Sequence, residues 1–169
     1  MKKVIVVPYD PKWKEEFGRI KDELLAVLDG VVAAVEHVGS TSVPGLLAKP
    51  VIDIDAVIKD YNIFETVKNR LAEIGYEHEG DLGIKERHAF RYHGKPHLMK
   101  HHLYVCPEYS EELKRHIAFR DHLRRTPEDR DWYGAVKTLA AKRYPEDIES
   151  YMVAKSPCVV EIIGRCELL

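Results

Sequence analysis

Residues 51–58, Val-Ile-Asp-Ile-Asp-Ala-Val-Ile, set two aspartates into an otherwise apolar, β-branched run. That composition predicts a strand. Successive strand side chains point to opposite faces, so Ile52, Ile54, Ala56 and Ile58 share one face while Asp53, Asp55 and Val57 share the other. One face demands a hydrophobic partner. The other holds two carboxylates about 6.5–7 Å apart at the backbone, near enough for their tips to converge on one divalent ion or a pair roughly 3.5–4 Å apart. Without a cation, adjacent acids in an apolar strand repel and lose hydration. Hard oxygen donors favour Mg²⁺ or Mn²⁺ over zinc.

Upstream, residues 31–38 predict a second strand ending at Gly39-Ser40-Thr41-Ser42. A turn of small residues lets phosphate oxygens approach backbone amides, and three hydroxyls add donors. Lys49 lies between this turn and the aspartate strand as a counter-charge for polyphosphate. No GxxxxGK[ST] loop is present.

The remaining pattern is mixed. Residues 3–7 read as a short β-like run. Asp10 and Pro11 start an amphipathic helix over 13–28 that stops at Asp29-Gly30. Residues 40–50 read as loop, 61–74 as helix, 76–93 as a hairpin and 101–106 as a strand. The last third is helical: Ser110 caps a helix to Arg125, Thr126-Pro127 opens another to Arg143, and a third spans 146–165 after Tyr144-Pro145. The expectation is one α/β (α+β) domain over 1–169, a mixed sheet with helices packed on one face.

Net charge −2 gives no strong nucleic-acid signal. No segment reaches the roughly 20 apolar residues of a membrane span, so no membrane partner and a cytoplasmic location are expected. Cys106, Cys158 and Cys166 form no CxxC pair and read as core thiols. Six of nine histidines (His78, His88, His93, His97, His101, His102) crowd one stretch, but their spacing matches no zinc motif.

The run His37-Val38-Gly39-Ser40-Thr41-Ser42-Val43-Pro44-Gly45-Leu46, with Ala48-Lys49-Pro50 and Ile52-Asp53-Ile54-Asp55, resembles the signature of the GrpB family. The resemblance extends through Tyr9-Asp10-Pro11-Lys12-Trp13, residues 118–124, Tyr133, Leu139-Ala140, Tyr151 and Lys155. That family is placed in the nucleotidyltransferase superfamily with DNA polymerase β, whose members share a Gly-Ser turn, an Asp-x-Asp strand and a third acid on a later strand. The resemblance implies a metal-dependent nucleotidyltransferase acting on a nucleoside triphosphate and an unknown acceptor. Asp53 and Asp55 are then metal ligands and catalytic residues, and Gly39, Ser40, Thr41, Ser42, Lys49 and Arg87 nucleotide contacts. The third acid is absent: the strand 101–106 carries no carboxylate, and His102 and Tyr104 share one face of it. His102 is the expected replacement, as a base or a nitrogen ligand. GrpB-like domains also occur fused to dephospho-CoA kinase, which implies an alternative as a non-catalytic binding module. A histidine–metal hydrolase is a third option. Arg120 and Arg124 are expected on a solvated face or along the cleft, Phe90 in the core, and His37 orienting the turn.

Overall fold

A computed structural model describes residues 3–166. Five strands, β1 (Ala34–Val38), β2 (Ile52–Ile58), β3 (Tyr76–Gly80), β4 (His88–Tyr92) and β5 (His101–Pro107), form one sheet in the order β1-β2-β5-β4-β3. Only β2 and β5 run parallel; the other neighbours are antiparallel. The helices are α1 (Lys12–Leu28), α2 (Phe64–Glu73), α3 (Glu111–Arg125), α4 (Pro127–Arg143) and α5 (Ile148–Arg165).

The two faces of β2 separate as the alternation demands. Ile52, Ile54, Ala56 and Ile58 join the main core with Trp13, Ile20, Leu24 and Leu28 of α1, Val67 and Leu71 of α2, and Leu103 and Val105 of β5. Phe90 lies in the same core. Cys106 and Cys158 are buried free thiols, and Cys166 is half-buried.

The helices do not all pack on one sheet face, which corrects the expectation above. On the opposite face, Leu113 of α3 packs against Val57 and Cys106 at the far ends of β2 and β5. Leu123 of α3, Tyr133 of α4, and Cys158 and Ile162 of α5 bury Val43 and Leu46, which follow the Gly-Ser turn. The middle of that face stays open between α3 and the α4–α5 pair.

Other boundaries move for local reasons. Residues 3–7 form no strand, only a bridge between Val7 and Ala48; the Val4 amide is taken by the Pro145 carbonyl and Pro8 lacks a donor. β1 starts at Ala34 because the amides of Val31 and Val32 fold back onto the Leu28 carbonyl. A 3₁₀ turn, Tyr61–Ile63, precedes α2 where helix was expected, with Asp60 accepting from the Asn62 amide. Asp147 caps α5 by accepting from the Ser150 amide at 3.0 Å, so that helix begins two residues later than expected.

Ile54 is fully buried between the two aspartates. Ile54→Ala is expected to cost about 2–5 kcal/mol, read as a lower urea midpoint with an unchanged m-value.

Candidate active site

The open part of the sheet face is a cleft of about 340 Å³. Its floor is set by the parallel ladder, in which Asp53 pairs with His102 and Asp55 with Tyr104. Residues so paired point the same way, so all four side chains rise from one face. His102 Nδ1 lies 2.9 Å from Asp53 Oδ1. Tyr104 lies flat under Arg87, whose guanidinium carbon is 4.3 Å from the ring centroid. Among the described residues Arg87 forms no salt bridge, and its Nε is buried without a partner. Lys49 also lines the cleft.

Asp55 is fully buried. Its Oδ2 is 2.6 Å from His116 Nδ1 of α3, while Oδ1 has no partner. Burial opposes a charge on His116, but hydrogen bonds to Asp55 and Glu112 and their negative charge outweigh it and raise its pKa to about 10. Burial raises the Asp55 pKa, and His116 opposes that rise. The pair is best described as imidazolium with carboxylate.

The Gly-Ser turn forms a short 3₁₀ turn, Ser40–Ser42, closed by the Ser42 amide on the Gly39 carbonyl at 3.1 Å. Gly39 has φ 71° and ψ −176°, a region essentially reserved for glycine. A Cβ there would collide with Asp53 Oδ2. Gly39 is therefore needed for the approach of the turn to Asp53, before any phosphate is considered.

The turn residues divide. Gly39, Ser40 and Thr41 line the cleft. Thr41 Oγ1 is held by His37 Nε2 at 2.9 Å, and the His37 ring stacks on Phe17 at 4.6 Å. Burial, reinforced by Arg124 and Arg120 against the pull of Asp53, lowers the His37 pKa to about 4. Ser42 does not reach the cleft. Its hydroxyl donates to the Gly39 carbonyl at 2.5 Å and closes the turn. Arg120 and Arg124 also act from behind: Arg120 binds Glu36 and the His37 carbonyl, and Arg124 donates twice to the Ser42 carbonyl at 2.7 and 2.9 Å.

Helices α4 and α5 also reach the cleft, where the family resemblance marked Tyr151 and Lys155 without a role and did not include Lys137. Lys137 of α4, 1% exposed, donates to Ser40 Oγ at 2.9 Å and to the Leu47 carbonyl. Lys155 and Tyr151 of α5 complete the wall. Burial, then the charges of Lys155 and Lys49, lowers the Lys137 pKa to about 6. Burial and Lys49, against Asp53, lower that of Lys155 to about 8. A signal existed: Lys137 sits between buried Tyr133 and Ala140, and Lys155 between buried Tyr151 and Cys158, at the three- and four-residue steps of an apolar stripe.

The clustered histidines disperse. His101 is buried against the Tyr76 hydroxyl, and His78 pairs with His88 beside Phe64. Among the described residues, no group of three or more His, Cys, Asp and Glu side chains is placed to hold a metal ion. No helix among them is long and apolar enough to cross a membrane.

A mixed sheet with a Gly-Ser turn leaning on an Asp-x-Asp strand is the nucleotidyltransferase-like fold. The poly(U) polymerase Cid1 in its MgGTP-bound structure superposes with TM-score 0.56 at 15% identity, over 82% of this chain and 45% of that one. The GrpB protein family model matches residues 3–165, and the chain belongs to that family. UPF0157 protein BH1888 of Halalkalibacterium halodurans is 37% identical over 163 residues, 96% of this chain and 82% of that protein. The crystal structure of GrpB from Enterococcus faecalis matches with TM-score 0.80 and 32% identity, over 95% of this chain and 98% of that one. Other relatives are longer. The chain spans 44% of UPF0157 protein YqkA of Bacillus subtilis, and 44% of a dephospho-CoA kinase of Mycolicibacterium paratuberculosis that is 29% identical to it.

Two outcomes are expected. Gly39→Ala should lose about 1–3 kcal/mol of stability while displacing Asp53, seen as changed shifts of the Asp53 carboxylate by NMR. Lys137 is held neutral in the fold above about pH 6 but is charged when unfolded. Its penalty is therefore greatest below that pH and fades as pH rises toward the unfolded value of about 10.4. Lys137→Met should stabilise by about 1–3 kcal/mol near pH 6, with the gain shrinking toward pH 10 in denaturation curves.

Proposed function

We propose that the cleft binds a nucleoside triphosphate with Mg²⁺ (or Mn²⁺) and transfers its nucleotidyl group to an acceptor hydroxyl. One observation carries the reading: the Gly39 backbone is pressed against the Asp53 carboxylate, so phosphate-binding amides and a metal-binding acid address the same point. Lys49, Arg87, Lys155 and His116 surround that point and outnumber Asp53 and Asp55, as a polyanion site requires.

The donor set suits a hard divalent ion. Asp55 Oδ1 is buried and unpartnered, and Asp53 is only partly covered. Such ions are commonly held by one or two carboxylates with substrate phosphates and water filling the remaining positions. Held by Asp53 and Asp55, such an ion would supply charge neutralisation at the reacting phosphate. The chain's own residues do the rest. The Ser40 and Thr41 amides open their turn without a preceding helical carbonyl and are free to receive phosphate oxygens. Lys49, Lys155 and Arg87 balance phosphate charge, and the Tyr104 ring fixes the Arg87 plane. His102, oriented by Asp53 through Nδ1, accepts the acceptor's proton at Nε2. The hydroxyl oxygen bonds to the α-phosphorus, the bond to the β-phosphate oxygen breaks, and pyrophosphate leaves.

A second reading is binding without transfer, as an accessory module. The engagement of Asp55 by His116 and the histidine in place of a third acid favour it. The similar segment within a dephospho-CoA kinase supports the same role. Pyrophosphate release separates the two readings: binding with no release in any acceptor mixture leaves the module reading.

Asp53→Asn is expected to lower Mg²⁺-dependent triphosphate affinity at least about tenfold with the melting temperature retained or raised. Equal affinity in the variant, measured by calorimetry with and without Mg²⁺, places the metal elsewhere.

A further inference from the structure

A second groove, of about 640 Å³, meets the cleft at Lys49, Val51 and His102 and continues past Lys100, Lys3, Val4, Ile5, Pro50, Glu146 and Ile148. We infer that this groove is the acceptor subsite, and that it takes a small hydroxyl compound bearing a phosphate ester. The inference rests on the transfer reading above.

Three features support it. The groove reaches the cleft at His102, whose side chain is 49% exposed and whose Nδ1 is already committed to Asp53. An occupant therefore lies beside His102, the residue that the transfer reading assigns as base. Lys3, Lys49 and Lys100 line the groove, and among the described residues none has a carboxylate within ion-pair distance; Glu146 is the single acid on the wall. Like charges held together without counter-ions destabilise a surface, and Lys100 adds to burial in lowering the Lys49 pKa, against Asp53. A phosphate dianion relieves that repulsion better than a single carboxylate, and lysine binds it as a point charge. Ile5 and Ile148, 55% and 45% exposed, form an apolar wall for the carbon body of the ligand.

The test loads the protein with Mg²⁺ and a nonhydrolysable triphosphate, then titrates uridine 5′-monophosphate, ribose 5-phosphate, their dephosphorylated forms, and a phosphorylated triribonucleotide by calorimetry. At least one small phosphorylated probe is expected to bind, with its dephosphorylated form at least about tenfold weaker. Lys100→Glu should weaken that probe by a similar factor, Lys100→Arg should retain it, and triphosphate affinity should stay within about twofold in both variants. Binding of none of the small phosphorylated probes, of the trinucleotide alone, or equally to the Lys100→Glu protein overturns the subsite. Loss of triphosphate binding by the unaltered protein sinks the transfer reading instead; the groove is then judged by the same Lys100→Glu comparison without triphosphate.

Discussion

The parallel pairing of β2 with β5 is the contact on which the molecule turns. Among the described residues it is the only parallel pair in the sheet, and it lies at the centre. Parallel strands need a crossover connection. Here α2 and the β3–β4 hairpin supply it, with α2 covering the apolar face. The same ladder fixes Asp53 beside His102 and Asp55 beside Tyr104. A slip of one residue would send the isoleucines into the cleft and the acids into the core. Core packing therefore enforces the register of the chemistry.

Electrostatics then determine what the face can hold. Burying Asp55 completely is tolerable because His116 meets one oxygen, and that histidine is itself shared with Glu112. Among the described residues, Lys49, Arg87, Lys137 and Lys155, which line the cleft, form no ion pair. Lys137 is neutralised by its surroundings, Lys155 partly so, and Arg87 is spread over an aromatic ring. The protein thus keeps several potential charges together without bearing the whole repulsion at neutral pH. Arg120 and Arg124 occupy the rear of the turn and fix its carbonyls, so the amide side is presented forward.

The parts of this design that are local in sequence were legible there. The strand alternation, the Gly-Ser turn, the hairpin and the three C-terminal helices follow from periodicity and turn chemistry. What could not be read were contacts made at long range. His116 lies 61 residues from Asp55, and Lys137 lies 97 from Ser40. No local rule states that α3 crosses the acidic face or that α4 sends a lysine under the turn. Ser42 illustrates the converse: its chemistry suits phosphate, and the tightness of the turn spends its hydroxyl on the Gly39 carbonyl.

Lys137 has a consequence beyond stability. Its amine is neutral in the folded protein above about pH 6, yet it donates to the Ser40 hydroxyl on the cleft wall. An anion settling against that wall favours the charged form, so binding takes up a proton from solution. The heat of binding then contains the ionisation heat of the buffer. Titrations of one anion in Pipes and in Tris would differ in enthalpy by the number of protons absorbed times the difference in buffer ionisation heat, while agreeing in stoichiometry. The cleft would thereby report its own charge state through a quantity independent of turnover.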